Sequence, residues 1–243
     1  MENSGPKPRS HVYGFMDETG LLHTPRTDRV FALGLIISQN PRELHRAVVI
    51  LKNKRRYHKE FKFSEVSDQN LPIYKELIDL FLECTNNRFH ALLVDKHAYA
   101  ATANKKSHWE YNKLAAKLIA SSIDYKIGKA SEYLTVLADD VSTSKDDKFE
   151  KIVRDRVKKD HRRNALFGIC RLESHAVSEI QVTDVLLGLV AYAYKIKFEI
   201  VRGSGAKLKL LKHLQRRLGV EELANTQAIK LQRGEVFEVS EHK

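Results

Sequence analysis

Apolar residues recur along this chain in two rhythms, and the change from one to the other predicts strands interleaved with helices. His11–Gly20 (HVYGFMDETG) opens with the strand formers Val12, Tyr13, Phe15 and Met16, then stops at two carboxylates and a Thr19-Gly20 turn. Val30–Ser38 (VFALGLIIS) reads as a second, more buried strand, joined to the first as a hairpin with an extended loop. Pro41 opens a helix to about Leu51, with Leu44, Ala47, Val48 and Leu51 on one face. Asp68–Cys84 is an amphipathic helix, Arg88–Asp95 a third strand and Trp109–Ile127 a helix whose inner face holds Leu114, Leu118 and Ile119. Tyr133–Asp139 (YLTVLAD) is a fourth strand, again ending in acids; residues 145–163 are highly charged and helical, and Ala165–Leu172 fits a fifth strand. Ser178–Tyr194 is a long helix, apolar around most of its circumference and hence buried. A basic helix, Ala206–Leu218, and a strand-like run, Glu235–Val239, follow it.

Strands alternating with helices imply an α/β sheet layered with helices. Neither a repeat nor a low-complexity tract nor a linker divides the chain. We therefore expect a loose, Pro-containing arm over residues 1–10 and a single domain over 11–243, with helical insertions and a C-terminal extension. Lys52–Gln69 and Lys96–Ser107 are the stretches expected to form loops or insertions.

With 243 residues, 42% hydrophobic and 30% charged, the composition suits a globular protein and excludes wholesale disorder. The segment MENSGPKPRS lacks the apolar core of a signal peptide, and no apolar run approaches the ~18 residues needed to cross a bilayer. Cys84 and Cys170 are isolated, which argues against a zinc site, and both are expected as small core residues. A reducing cytoplasm and no membrane partner are the resulting expectations. The formal charge of +11 points to polyanions, with nucleic acid and acidic membrane surfaces as the main candidates.

Carboxylates recur where apolar strands end. If Phe15 packs into a core, alternation puts Asp17 on the same side and Glu18 on the other. There Asp17 is salt-bridged or a metal ligand, unless the strand end is simply solvated. Asp139 follows Thr135 and Leu137 on one side of its strand, and Asp140 follows Val136 and Ala138 on the other; Asp139 is the one we expect to face Asp17. Asp184 lies among apolar neighbours in the second turn of a buried helix, where the helix dipole has faded and a metal or a cation is needed. Ser178-Glu179-Ile180-Gln181 fits a capping box, with Gln181 reaching back to the cap, and Gly188 suits close helix packing. Glu60, inside Lys59-Glu60-Phe61-Lys62-Phe63, has a local ion pair as its simplest account. Gathered together, Asp17, Glu60, Asp139 and Asp184 would repel one another and would need cations to coexist. Mg²⁺ or Mn²⁺, as a pair ~3.5–4 Å apart, takes oxygen ligands and supports phosphodiester cleavage.

At these residues the sequence resembles the family catalogued as domain of unknown function 3800, in the ribonuclease H-like superfamily. An F-x-D-E-S-G phrase is matched by Phe15–Gly20, with Thr19 in the usual Ser place; a short E-[IF]-K phrase is matched by Glu60-Phe61-Lys62. A helix of the type Q-x-x-D-x-x-x-G is matched by Gln181–Gly188, and the strand ending at Asp139 falls where the superfamily carries its middle Asp. The resemblance covers roughly residues 11–200. It implies a mixed sheet of about five strands flanked by helices on both faces, and a carboxylate site of the kind used by metal-dependent nucleases.

On this reading Asp17 would bridge two ions, Asp139 and Asp184 would each bind one, and Glu60 would orient water or complete the second site. Nucleic acid would be the partner, its phosphates tracked by Lys54, Arg55, Arg56, Lys62, Lys158, Lys159, Arg162, Arg163 and Lys207. His161 and His175 are candidate proton shuttles or plain surface residues. The rival from another class is a catalytically silent module that binds nucleic acid or a protein. The Gly203-Ser204-Gly205-Ala206-Lys207 phrase lacks the spacing and the ending of a phosphate loop.

Overall fold

A computed structural model describes residues 11–22, 29–97, 107–124, 133–139, 148–161, 165–203, 205–225, 227–230 and 236–242. The expected N-terminal arm, Asp140, Arg162 and Arg163 lie outside them. Seven strands form one mixed sheet: β1 (His11–Thr19), β2 (Val30–Ser38), β3 (Asn87–Asp95), β4 (Tyr133–Asp139), β5 (Leu166–Leu172), β6 (Gln227–Lys230) and β7 (Val236–His242). Their order is β5-β4-β1-β2-β3-β7-β6. β1, β2 and β3 are antiparallel in sequence, whereas β4 runs parallel to β1, β5 parallel to β4, and β7 parallel to β3.

The sheet has seven strands rather than about five, because the expected strand-like run Glu235–Val239 joins it as β7 and a further strand, β6, extends it beyond. β6 spans only four residues, with every second one exposed, and so carries no apolar signal of its own; pairing with β7 makes it a strand. Six helices among the described residues cover the two faces. On one face lie α1 (Pro41–Arg55), α2 (Leu71–Glu83), α5 (Ser178–Lys197) and α6 (Gly205–Leu218), packed on Phe15, Ile36, Phe89 and Leu93. On the other lie α3 (Ser107–Asp124) and α4 (Phe149–His161), packed on Met16, Leu33, Leu35 and Val136. Each such side chain contributes about 1.5–3 kcal/mol when fully buried, so these two layers hold the fold together.

The helices differ from expectation mainly at their ends. α1 runs on to Arg55, so Lys52 to Arg55 are helical rather than loop. Three basic residues, Lys52, Lys54 and Arg55, fall in its last turn, where they complement the helix dipole. Cys84 is buried, with its thiol raised to about 11 by burial, but Cys170 is exposed. Cys170 sits on β5, the sheet's edge, where no helix covers every second position. No helix among the described residues is long and apolar enough to cross a membrane.

Candidate active site

Asp17 and Asp139 come together because β1 and β4 run parallel and end side by side. The register pairs Phe15 with Leu137 and Met16 with Ala138. Both acids therefore stand one step further on, at the carboxyl ends of the strands, where open α/β sheets bind their ligands. Met16 and Ala138 face α3 and α4 while Phe15 and Leu137 face α5, so alternation turns Asp17 and Asp139 to the α5 side. Glu18 takes the opposite side, held by the Tyr111 hydroxyl.

Across from Asp17 in β2 is Gly34. A Cβ there would come within 3.1 Å of Thr183 and Leu187, so the missing side chain lets α5 lie close over the strand. The Thr183 hydroxyl is within hydrogen-bond reach of both the Glu179 carbonyl, at 2.9 Å, and the Phe15 carbonyl of β1, at 3.1 Å, so its one hydrogen is shared between helix and strand. One turn-spaced stripe of α5, formed by Gln181, Asp184, Gly188, Tyr192 and Lys195, faces away from the core into a cavity of about 570 Å³. Asp17, Glu60, Asp139 and Asp184 all line that cavity.

The segment Glu60–Lys62, leading into the 3₁₀ turn Phe63–Glu65, has no strand partner, so its backbone groups are satisfied by side chains. Gln181 Oε1 accepts from the Phe61 N–H at 3.2 Å and from Lys52 Nζ at 2.9 Å, and its amide nitrogen donates to the carbonyls of Ser174 and His175. Asp184 accepts from the Phe63 N–H at 2.8 Å. The Tyr74 hydroxyl accepts from the Lys62 N–H and donates to the Lys62 carbonyl. Gly188 leaves the space that the Phe63 ring occupies: a Cβ there would lie 2.3 Å from Phe63 Cγ.

This overturns the capping-box reading of Gln181. The helix is capped by Val177 with no side-chain cap bond, and Ser178 is already inside it, so the amide is free to turn to the Glu60–Lys62 segment. Gly188 likewise makes room for an aromatic ring rather than for another helix. The expected local ion pair is present: Glu60 meets Lys62 at 3.1 Å and also accepts from the Ser174 hydroxyl at 2.8 Å. Ser174 additionally donates its N–H to Asp139 at 3.0 Å.

Burial is the first cause that makes Asp17 harder to ionise, and the negative charges of Asp184 and Asp139 add to it; its carboxyl stands well above the ordinary range. Asp184 is raised to about 6, again by burial first, with the Phe63 N–H and Lys62 opposing and Glu60 and Asp139 adding. Among the described residues no three His, Cys, Asp or Glu side chains are grouped so that they could hold a metal ion as they stand. The donor set nonetheless suits a hard divalent cation. It is all oxygen, it is partly desolvated, and its members oppose one another's ionisation in a way that a cation would reverse.

The basic residues do not gather as one surface. Lys62 and Lys207 line the cavity. Lys54 and Arg55 instead pair with Glu76 of α2, and Arg56 is exposed at the C-terminal end of α1. Lys158 and Lys159 are exposed on α4, against the other face of the sheet. His175 is exposed beside Glu173 at 3.3 Å, and the His161 side chain lies outside the described residues.

No protein-family model matches the chain. No curated protein matches its sequence. Among solved structures, the fold is similar to that of a glutamine-to-alanine variant of Bst-RNase HIII, at 13% identity and a TM-score of 0.48. The likeness covers 88% of this chain and 65% of that one, so the chain spans less than two thirds of that ribonuclease.

Sequence reasoning missed Ser174, Gln181 and Lys52 as the supports of the carboxylate site, and Tyr192 and Lys195 as cavity-lining residues. The helical spacing of Gln181, Asp184, Gly188, Tyr192 and Lys195 was a usable signal for one polar stripe. Ser174 and Lys52 carried none, because only the folded chain brings them near.

Proposed function

We propose that this protein is a divalent-metal-dependent nuclease that hydrolyses phosphodiester bonds of DNA or RNA. The observation that carries the reading is a single cavity lined by Asp17, Glu60, Asp139 and Asp184, in which burial and mutual repulsion make Asp17 and Asp184 hard to ionise. These four carboxylates would hold Mg²⁺ or Mn²⁺. Such ions, when bound, supply Lewis acidity to a phosphoryl oxygen and lower the pKa of water. The chain's own contribution is orientation. The N–H groups of Phe63, Ser174 and Glu18 fix Asp184, Asp139 and Asp17 respectively, so each keeps one oxygen bound and its direction set. Lys62, beside Glu60, adds positive charge where a phosphate would enter. The phrases that resemble the family of domain of unknown function 3800 contain three of these acids, Asp17, Glu60 and Asp184.

The test is incubation with DNA, RNA and hybrid substrates in Mg²⁺ or Mn²⁺, beside Asp184→Asn. Cleavage should require the metal, and the variant should lose roughly 100-fold or more. Cleavage that persists unchanged in Asp184→Asn would overturn the assignment.

A second reading, a binding module without catalysis, is favoured by one observation. Each of the four carboxylates already has a protein donor, and Glu60 has a cation at 3.1 Å. On that reading Mn²⁺ gives no thermal shift and no substrate in the panel is cut.

A further inference from the structure

The cavity has a second chemical character. Along α5, Tyr192 and Lys195 follow Gly188 by about one and two turns on the side away from Asp184, and Lys207 lies against the Phe63 ring, so lysines as well as carboxylates line the cavity. Lys207 comes from the first turn of α6, which places its helix dipole at the same rim. Its Nζ lies 4.9 Å from the centre of the Phe63 ring, a cation–π contact that restricts where the ammonium can point. Tyr192 completes the aromatic wall, its ring 5.9 Å from that of Phe63.

Phe63 is therefore shared by both kinds of group. Its backbone N–H is bound by Asp184, its ring fills the space over Gly188, and Lys207 lies against the same ring. Phe63 thus links the acid of α5 to the ammonium of Lys207. A lone anion site would not need such coupling, whereas a polymer with regularly spaced phosphates would. The cavity volume of about 570 Å³ is within the range of roughly 300–1,000 Å³ typical of small-ligand sites, so it has room for a nucleotide unit.

We propose that Lys207 and Lys195, with Phe63 and Tyr192 as their wall, form a subsite for a phosphate of the nucleic-acid strand that flanks the phosphodiester held at the carboxylates. This rests on the nuclease reading for the identity of the strand. The subsite contributes a charge-assisted contact made by the strand and not by the cleaved bond, so its loss weakens binding more than turnover.

Binding is measured in EDTA, by competition against a fluorescent oligonucleotide, with two dinucleotides that differ only in a terminal phosphate and with inorganic phosphate. Wild-type protein should prefer the phosphorylated dinucleotide about tenfold, a difference of roughly 1.4 kcal/mol. Lys207→Ala should erase the preference, Lys207→Arg should keep most of it, and Asp17→Asn should retain it. In the presence of Mn²⁺, Lys207→Ala should raise KM for cleavage with kcat little changed. An unaltered preference in Lys207→Ala overturns the subsite. Inorganic phosphate competing as well as the phosphorylated dinucleotide overturns it in favour of a free-anion site. A preference that Lys207→Ala abolishes, in a protein that cuts nothing with any metal, retains the subsite and removes the nuclease reading instead.

Discussion

Asp184 stands in the second turn of α5, past the reach of the helix dipole and beside an acid that is itself desolvated. Its carboxyl is raised from 3.8 to about 6, and Asp17 moves in the same direction. The folded protein thus keeps protons that the unfolded chain has already released above about pH 4. The contribution of Asp184 to stability is complete below that pH and is lost as the pH rises through about 6. Near pH 7.5 in EDTA, Asp184→Asn should therefore melt several degrees above the wild type, and the two should converge at the acidic end of the window. Adding Mn²⁺ at the higher pH should reverse their order, since only the wild type gains a ligand. Differential scanning fluorimetry reads both effects; a wild type equal to the variant in EDTA would mean that neither burial nor the neighbouring acids penalise the Asp184 carboxylate. That Asp184 needed compensation was legible from its apolar neighbours. That a backbone N–H of Phe63 supplies part of it was not, because the two lie on different elements and meet only on folding.

At the scale of elements, α5 organises the site through two absent side chains. Gly34 on β2 lets the helix approach the sheet, and Gly188 lets Phe63 lie on the helix. Gly188→Ala would put a methyl 2.3 Å from Phe63 Cγ, so the 3₁₀ turn Phe63–Glu65 must move outward. Overpacking of this kind costs about 1–3 kcal/mol. It should also release the Phe63 N–H from Asp184 and carry Lys207 out of position. The expected result is a lower urea midpoint together with a weaker Mn²⁺-induced thermal shift. A lower midpoint with an unchanged metal response would separate the packing role of Gly188 from the site. Strict alternation located β4, and unbroken apolar runs located β2 and α5, which are buried over nearly their whole length. Cys170 was placed in the core wrongly, because an edge strand and an interior strand share the same local composition.

Over the whole molecule, the basic residues behind the charge of +11 are spread rather than gathered: Lys62 and Lys207 line the cavity, whereas Lys158 and Lys159 are exposed on α4, against the other face of the sheet. Lys158 and Lys159 cannot act at the cavity from there, so any contact they make with a long nucleic acid is sequence-independent and screened by salt. Double charge reversal, Lys158→Glu with Lys159→Glu, should weaken binding of a long duplex and lower the slope of log K against log salt by about 1–2. It should leave dinucleotide binding intact. Equal losses for both ligands would instead join the two basic regions into one surface.

Local patterning alone predicted the strand–helix alternation and singled out three acids, Asp17 and Asp139 at strand ends and Asp184 in the buried helix, while Glu60 carried only the signal of an acid in a basic segment. Patterning did so because burial imposes periods of two and 3.6 on every apolar face. The parallel pairing of β1 with β4, the swing of Glu60–Phe63 onto α5 and the recruitment of Ser174 and Lys52 were decided by tertiary structure. Each of these depends on contacts between residues far apart in the chain, and an unpartnered segment records nothing in its own sequence of where its hydrogen bonds will go.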